Sequence, residues 1–184
     1  MALRIEKTVQ ISKPIEKVWA FLSDPRKVAT CVPGAKITEQ VDEKTYNGTI
    51  SVKVGPAVSD YSGELQILRI DPDNHEIELL GKGQDVRGRG SASMKMIGKL
   101  RAVDDGNTEM TSVSEVNLVG IVAQMGARVI TEVSNVMFGQ FTKNLEARLQ
   151  QPEGAADAAE GEVKPVKASS VAWEASKRLF RRDS

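Results

Sequence analysis

The sequence predicts an α+β domain in which an antiparallel sheet of about seven strands precedes one long helix. Six consecutive segments with strand patterns lie between residues 35 and 118 and are separated by short turn sequences. An apolar stripe of helical period then runs from Gly120 to about Leu149. After residue 150 the composition changes abruptly, which indicates where the domain ends. We therefore expect one folded domain over residues 1–150.

The first elements are a strand and two short helices. Residues 3–11 alternate well enough between apolar and other side chains for a strand. Ser12 and Pro14 give a helix-start signal, and an apolar helical face follows. The pair Asp24–Pro25 ends this helix and begins a second short one that runs through Val28.

The middle of the chain predicts a meander, because consecutive strands joined by short turns pair antiparallel. The closing helix would have roughly 30 residues and a length of about 45 Å, enough to lie across the sheet. The predicted strands lie near residues 35–41, 45–54, 58–70, 75–83, 89–103 and 108–118.

The charge balance, the cysteine count and the lack of targeting patterns limit the classes of protein to which this chain can belong. The 25 basic and 25 acidic residues cancel, which argues against nucleic acid as a partner. The single cysteine, Cys31, allows no intramolecular disulfide. The first residues lack the apolar run of a signal peptide, and no stretch has the pattern of a transmembrane helix. We expect a cytoplasmic protein.

The C-terminal residues predict a membrane-binding segment that a linker joins to the domain. Residues 151–170 are acidic at first and rich in Ala, Pro and Gly, which predicts a flexible linker. Residues 171–184 form an amphipathic basic pattern that favours reversible docking to an anionic membrane, and a groove in a partner protein is the alternative. The residues expected to bind the membrane are Trp173, Lys177, Arg178, Leu179, Phe180, Arg181 and Arg182.

Several segments carry a resemblance to a known family. The order of elements, with Val18–Pro25 and Cys31–Gly34, resembles the START/Bet v1-like (SRPBCC) superfamily. Val52–Pro56 and the glycine-spaced segment Gly81–Gly90 resemble the carbon monoxide dehydrogenase G-subunit family more closely. The resemblance covers residues 3 to about 149.

The resemblance implies a helix-grip fold, in which a curved antiparallel sheet holds a long C-terminal helix and leaves an apolar cavity between them. It also implies service to a molybdenum hydroxylase of the carbon monoxide dehydrogenase type. The expected role is a non-catalytic carrier of a quinone or lipid at the inner face of the cell membrane, with no covalent cofactor. An adaptor that recruits or assembles the same enzyme without a ligand is the alternative.

The candidate lining of that cavity is rich in methionine, a flexible side chain that tolerates ligands of irregular shape. Two serines would add hydroxyl groups to a mostly apolar wall. Gly126, placed within the predicted helix, gives either close backbone packing or room for a ligand. The candidates are Met94, Met96, Met110, Ser112, Ser114, Val116, Val122, Met125, Gly126, Val129, Val133 and Met137.

The sequence gives weak support for catalysis, although the superfamily also includes enzymes. His75 is predicted in an exposed turn and Cys31 in the core, so they form a poor base–nucleophile pair. A structural zinc site needs four Cys or His ligands, and the sequence has one of each, so no such site is expected. The segment Gly83–Gly90 lacks the Lys-Ser/Thr pair of a phosphate loop. The glycines at 81, 83, 88 and 90 predict strands that bend or bulge, and a role for Arg87 and Arg89 at a cavity mouth or in docking is the alternative.

Overall fold

The computed structural model describes residues 1–151, and its elements follow the predicted order. Seven strands, two short helices and one long helix form the domain. Their bounds are β1 Ala2–Ile11, α1 Ile15–Leu22, α2 Pro25–Ala29, β2 Ala35–Gln40, β3 Thr45–Val54, β4 Ala57–Asp71, β5 Glu76–Asp85, β6 Gly90–Asp104, β7 Asn107–Gly120 and α3 Ala127–Gln150.

The sheet is a meander to which the first strand is added at one edge. Its order is β1-β7-β6-β5-β4-β3-β2, and every neighbouring pair is antiparallel. β1 pairs along its whole length with β7, from Ala2 opposite Asn117 to Ile11 opposite Thr108. The predicted meander is confirmed, and β1 and β2 are the two edges of the sheet.

The long helix begins later than the sequence pattern predicted. Strand β7 continues to Gly120, and a 3-10 turn over Ala123–Met125 separates it from α3. Gly126 has a φ of 85° and immediately precedes α3, which has 24 residues and is about 36 Å long. The prediction failed because the uncharged segment before Gly126 keeps an apolar periodicity that does not reveal the break. Gly120 and Gly126 therefore lie outside the helix interior.

One end of α3 is held in the main core. Leu145 is fully buried, and it belongs to a cluster with Ile11 and Val18 that joins the helix to β1 and α1. Asn144 donates a hydrogen bond of 2.9 Å to the carbonyl oxygen of Cys31. The Cys31 side chain is buried as predicted, and burial raises the pKa of its thiol.

The sequence predicted a bend or a bulge at the glycines of β5, and the structure shows no bulge at Gly81 or Gly83. Gly81 and Gly83 pair in continuous register with both β4 and β6. The irregularity between β4 and β5 lies instead at Ile67 and Arg69. Glycine lowers the propensity for a strand but does not require a bulge where neighbouring strands supply the hydrogen bonds.

The predicted linker beyond Gln151 and the predicted tail, residues 171–184, lie outside the described residues. Within residues 1–151, no helix has both the length and the apolar character that a membrane span requires.

Candidate ligand-binding cavity

A cavity of about 610 Å³ lies between the sheet and the helices. All seven strands, α1, α2 and α3 contribute residues to its wall, which is mainly apolar and open to solvent. Cavities of roughly 300–1,000 Å³ with apolar walls are typical of sites for small molecules. The fold therefore leaves room for a hydrophobic ligand of moderate size.

The alternation of β6 and β7 determines the character of one wall. On β6, Met94 and Met96 face inward, and on β7 their partners in register are Val116 and Ser114. Met110 continues the same inner face toward the core and is buried. Flexible thioether side chains on adjacent strands give this wall a shape that can adapt to a ligand.

The structure brings nine of the twelve predicted lining residues to this cavity. Whether they contact a ligand stays a prediction. The nine are Met94, Met96, Met110, Ser112, Ser114, Val116, Val122, Val133 and Met137.

Met125, Gly126 and Val129 do not border the cavity, which corrects their prediction. Met125 and Gly126 precede α3, so neither residue follows the helical period from which its position was inferred. Val129 lies on α3 but faces a separate groove.

That groove has a volume of about 310 Å³ and lies between α3 and the β3–β4 hairpin. Val129 and Val136 border it, and Val136 is 47% exposed. The apolar stripe of α3 is therefore divided between the cavity and this outer groove. Sequence periodicity indicated the stripe but could not indicate the division, which depends on where the hairpin crosses the helix.

Glycines at inward positions enlarge the cavity. A Cβ atom added to Gly81 would have only one heavy atom within 4 Å, the carbonyl oxygen of Met94 at 3.9 Å. A Cβ atom added to Gly98 would lie 3.4 Å from the Ile77 side chain. Both glycines border the cavity, and sequence reasoning missed this role. The signal was present, because Gly81 alternates in phase with Leu79 and Gly98 with Met96.

Two aromatic residues at the cavity wall pack against each other. Trp19 and His75 form an edge-to-face contact with their ring centroids 5.3 Å apart. His75 lies in the β4–β5 turn with a φ of 49°, as the turn prediction placed it, but it is half-buried rather than exposed. The contact with Trp19, 56 residues away in sequence, could not be read from the local pattern.

The wall also carries polar groups that have no protein partner. Within residues 1–151, the hydroxyl groups of Ser112 and Ser114 form no hydrogen bond, although both residues border the cavity. Tyr61 borders the cavity too, and burial, followed by the nearby Asp85 charge, raises the pKa of its phenol. Unpaired hydroxyls on an apolar wall give a ligand oxygen something to bind.

Arg89 supports the structure near this wall. Its guanidinium donates to the Asp85 carboxylate, with an Nη2–Oδ2 distance of 2.9 Å, and to the Val58 carbonyl oxygen at 3.1 Å. The Asp85 carboxylate is fully covered and also accepts a hydrogen bond of 2.8 Å from the backbone N–H of Arg87. These contacts fix the β5–β6 turn against β4, which favours a structural role for Arg89 over the alternative docking role.

We expect the Asp85–Arg89 contact to make stability depend on pH. The hydrogen bond from Arg89 holds the pKa of the Asp85 carboxyl below its usual value. A folded-state pKa below the unfolded value, about 3.9, stabilises the protein above that pH, and the contribution is lost as the pH falls through the folded pKa. Asp85→Asn should therefore lower the urea midpoint clearly at pH 7. Its difference from the parent should shrink toward pH 3, and a difference that is constant with pH would contradict this account.

In the part of the chain that the structure describes, no group of three or more His, Cys, Asp or Glu side chains is arranged to hold a metal ion. Besides apolar side chains, the cavity wall includes hydroxyl groups, single charged side chains, the Asn47 amide and the His75 imidazole.

The fold is similar to several solved structures. A conserved protein from Geobacillus kaustophilus matches with a TM-score of 0.73 and 22% identity, over 80% of this chain and 95% of that chain. A START superfamily protein from Mycobacterium smegmatis gives 0.56 and 13%, over 80% and 97%. The ZhuI aromatase/cyclase from Streptomyces sp. R1128 gives 0.53 and 14%, over 90% and 100%. These likenesses confirm the START/Bet v1-like helix-grip fold.

Among curated proteins, none matches this sequence. A family model does match, over residues 8–150, which is most of the chain. The family is described as the G subunit of carbon monoxide dehydrogenase (CoxG). With its curved seven-stranded sheet, its closing helix and the matched residues 8–150, the chain belongs to the carbon monoxide dehydrogenase G-subunit (CoxG) family.

Proposed function

We propose that this protein is a non-catalytic carrier of a quinone or lipid, and that it couples a carbon monoxide dehydrogenase-type molybdenum hydroxylase to the inner face of the cell membrane. The single observation that carries the proposal is the apolar cavity of about 610 Å³. A sheet that packed directly against α3 would leave no such space. Family membership supports the proposed enzyme partner.

The character of the cavity favours binding over catalysis. His75 is in contact with Trp19, and the Cys31 thiol is buried with a raised pKa, which disfavours the reactive thiolate. The Cys31 thiol is therefore not placed as an activated nucleophile, and within residues 1–151 no side-chain hydrogen bond pairs His75 with a nucleophile. The aromatase/cyclase among the similar structures shows that this fold can also host enzymes, so a test of the carrier role must measure bound ligand directly.

Native mass spectrometry tests the carrier role. Protein purified without detergent is offered ubiquinone or a phospholipid, and the intact mass is measured before and after. We expect one bound molecule per chain, since the described domain holds one large cavity of this kind. A domain that takes up neither molecule would overturn the carrier role and leave the ligand-free adaptor as the better interpretation.

A separate experiment tests the proposed membrane contact. The basic side chains of Lys177, Arg178, Arg181 and Arg182 could each contribute about 1 kcal/mol near an anionic surface, offset by the cost of ordering the segment. We expect the full chain to float with vesicles that contain anionic lipid and the chain without residues 169–184 to stay at the bottom of the gradient. Flotation should weaken at high salt. Equal flotation of both chains would assign membrane binding to another part of the protein.

A further inference from the structure

One lysine occupies an inward position in the cavity wall. On β1, Lys7 alternates in phase with Ile5 and Val9, and it is partly buried while its neighbours Glu6 and Thr8 are exposed. Lys7 also borders the cavity. The other charged residues that border it are exposed and sit at outward positions on their strands, namely Lys36, Glu64, Lys82 and Lys99. Lys7 is therefore the one charged side chain that the described strands direct into the cavity wall.

The position of Lys7 is set by both the sheet and the helix. Its ammonium group donates a hydrogen bond to the side-chain oxygen of Asn135 on α3, an exposed contact at the margin of the cavity. In the sheet, Lys7 lies directly opposite Ser112, and Ile5 lies opposite Ser114. Side chains directly opposite on one face of antiparallel strands have Cβ atoms about 4.5–5.5 Å apart. Lys7, Ser112 and Ser114 thus occupy neighbouring positions on one face of an otherwise apolar wall.

These groups have unused capacity for hydrogen bonds. A lysine ammonium carries three N–H donors, and Lys7 makes one hydrogen bond, to Asn135, within residues 1–151. The hydroxyls of Ser112 and Ser114 make none in that part of the chain. Desolvating unpaired donors with a purely hydrocarbon ligand would weaken binding, whereas an acceptor oxygen would satisfy them.

We propose that Lys7, with Ser112 and Ser114, anchors an acceptor oxygen of the ligand, so that the cavity selects an apolar molecule with a carbonyl or carboxylate oxygen at one end. This inference rests on the proposed carrier function and deepens it, because it assigns the orientation of the ligand and the residue that discriminates between ligands. A ligand with a cationic end group is disfavoured, since it would meet the Lys7 charge. The apolar remainder of the ligand lies along the methionine-rich wall of β6 and β7.

The test uses two probes that differ in their carbonyl groups. 2-Methyl-1,4-naphthoquinone and 2-methylnaphthalene share the ring system and the methyl group, but the second lacks both oxygens. Binding of each to the full chain is measured by titration calorimetry. Lys7→Met keeps an apolar stem and removes the charge, Lys7→Gln keeps a hydrogen-bond donor without the charge, and Lys143→Met removes an exposed lysine of α3 that does not border the cavity.

We expect Lys7→Met to lower the affinity for the quinone about tenfold, as loss of a hydrogen bond from a charged group predicts, and to leave the affinity for the hydrocarbon within about twofold. The affinity of Lys7→Gln for the quinone should lie between those of the parent and of Lys7→Met. Lys143→Met should bind both probes as the parent does. Equal effects of Lys7→Met and Lys7→Gln on both probes, or no effect on either, would overturn the anchor. Failure of the parent protein to bind either probe would instead overturn the carrier function.

A second pair of probes distinguishes a ligand whose oxygen belongs to a carboxylate from one whose oxygen belongs to a quinone carbonyl. Dodecanoate carries a charged carboxylate and dodecanol a neutral hydroxyl on the same chain. If the physiological ligand is an acid, Lys7→Met should lower the affinity for dodecanoate more than the affinity for the quinone. If it is a quinone, the quinone should bind the parent more tightly than dodecanoate does. Both results retain the anchor, whereas tighter binding of dodecanol than of both dodecanoate and the quinone would contradict it.

Discussion

Replacement of Gly81 by phenylalanine is expected to abolish most ligand uptake while the domain stays folded. Gly81 faces the cavity from the middle of β5, and the space beyond its Cα is open except for the Met94 carbonyl oxygen. A phenyl ring placed there would occupy the volume that a ligand needs. A bound ligand would have to repack around this ring, at a cost of roughly 1–3 kcal/mol in the free energy of binding. The affinity should therefore fall about 10- to 100-fold. Calorimetric titration with 2-methyl-1,4-naphthoquinone measures the loss.

The matched control is the adjacent residue of the same strand. Leu80 points to the opposite face of the sheet and does not border the cavity, so Leu80→Phe adds the same ring outside it. This variant should bind the probe as the parent does. Because glycine weakens a strand interior, Gly81→Phe should not lower the melting temperature. Equal affinities of the two variants would show that the ligand does not occupy this cavity.

Leu145→Ala is expected to produce the largest loss of stability. Leu145 is fully buried in the cluster that joins α3 to β1 and α1, and neighbours include Ile11, Val18 and Met110. Truncation of a buried leucine costs about 2–5 kcal/mol, because the transfer energy is lost and a cavity remains. In a domain of this size the melting temperature should fall by about 10 °C. Thermal unfolding followed by circular dichroism provides the measurement.

Val136→Ala gives the comparison on the same helix. Val136 is 47% exposed and lies on the outer groove, so its truncation should change stability by less than about 0.5 kcal/mol. A similar loss of stability for both variants would mean that α3 is not held mainly through its C-terminal half. The two results together locate where the sheet grips the helix.

The contrast between the two ends of α3 explains how one sheet can serve both stability and binding. The C-terminal half of the helix, with Leu145 and Leu149, closes the core against α1 and β1. The preceding turns, with Val133, Met137 and Phe141, border the cavity. Close packing of the C-terminal half of α3 stabilises the domain, whereas the turns that border the cavity contribute less to stability. A variant in the first region should therefore change unfolding, and a variant in the second should change binding.

The order of elements could be predicted because the signals are local. Alternation in β1, turn residues between the strands and the composition change after residue 150 each depend on a few neighbouring positions. The start of α3 could not be predicted, since the uncharged stretch before Gly126 continues an apolar pattern through a change of backbone direction. In the structure, positive φ values at Gly120 and Gly126 and the 3-10 turn between them separate the strand from the helix.

Predicted positions agree with the cavity wall where strand alternation defined the inner face, as for Met94 and Ser114, and differ where a helical period was carried across Gly126, as for Met125. Residues that depend on long-range packing were missed. Lys7 lies within the strand predicted over residues 3–11, and its inward direction became informative only once β1 paired with β7. Trp19 contacts His75 through the tertiary fold alone.

Fluorescence of Trp19 tests the central claim most directly, because this indole borders the cavity. The chain has two tryptophans, so Trp173→Phe leaves Trp19 as the only one. Titration with 2-methyl-1,4-naphthoquinone, corrected with free tryptophan for absorption by the probe, should quench Trp19 saturably at one quinone per chain. The same titration of the variant that also carries Gly81→Phe should require at least about tenfold more quinone. Quenching that rises linearly without saturation, and equally in both proteins, would contradict a ligand held between the sheet and α3.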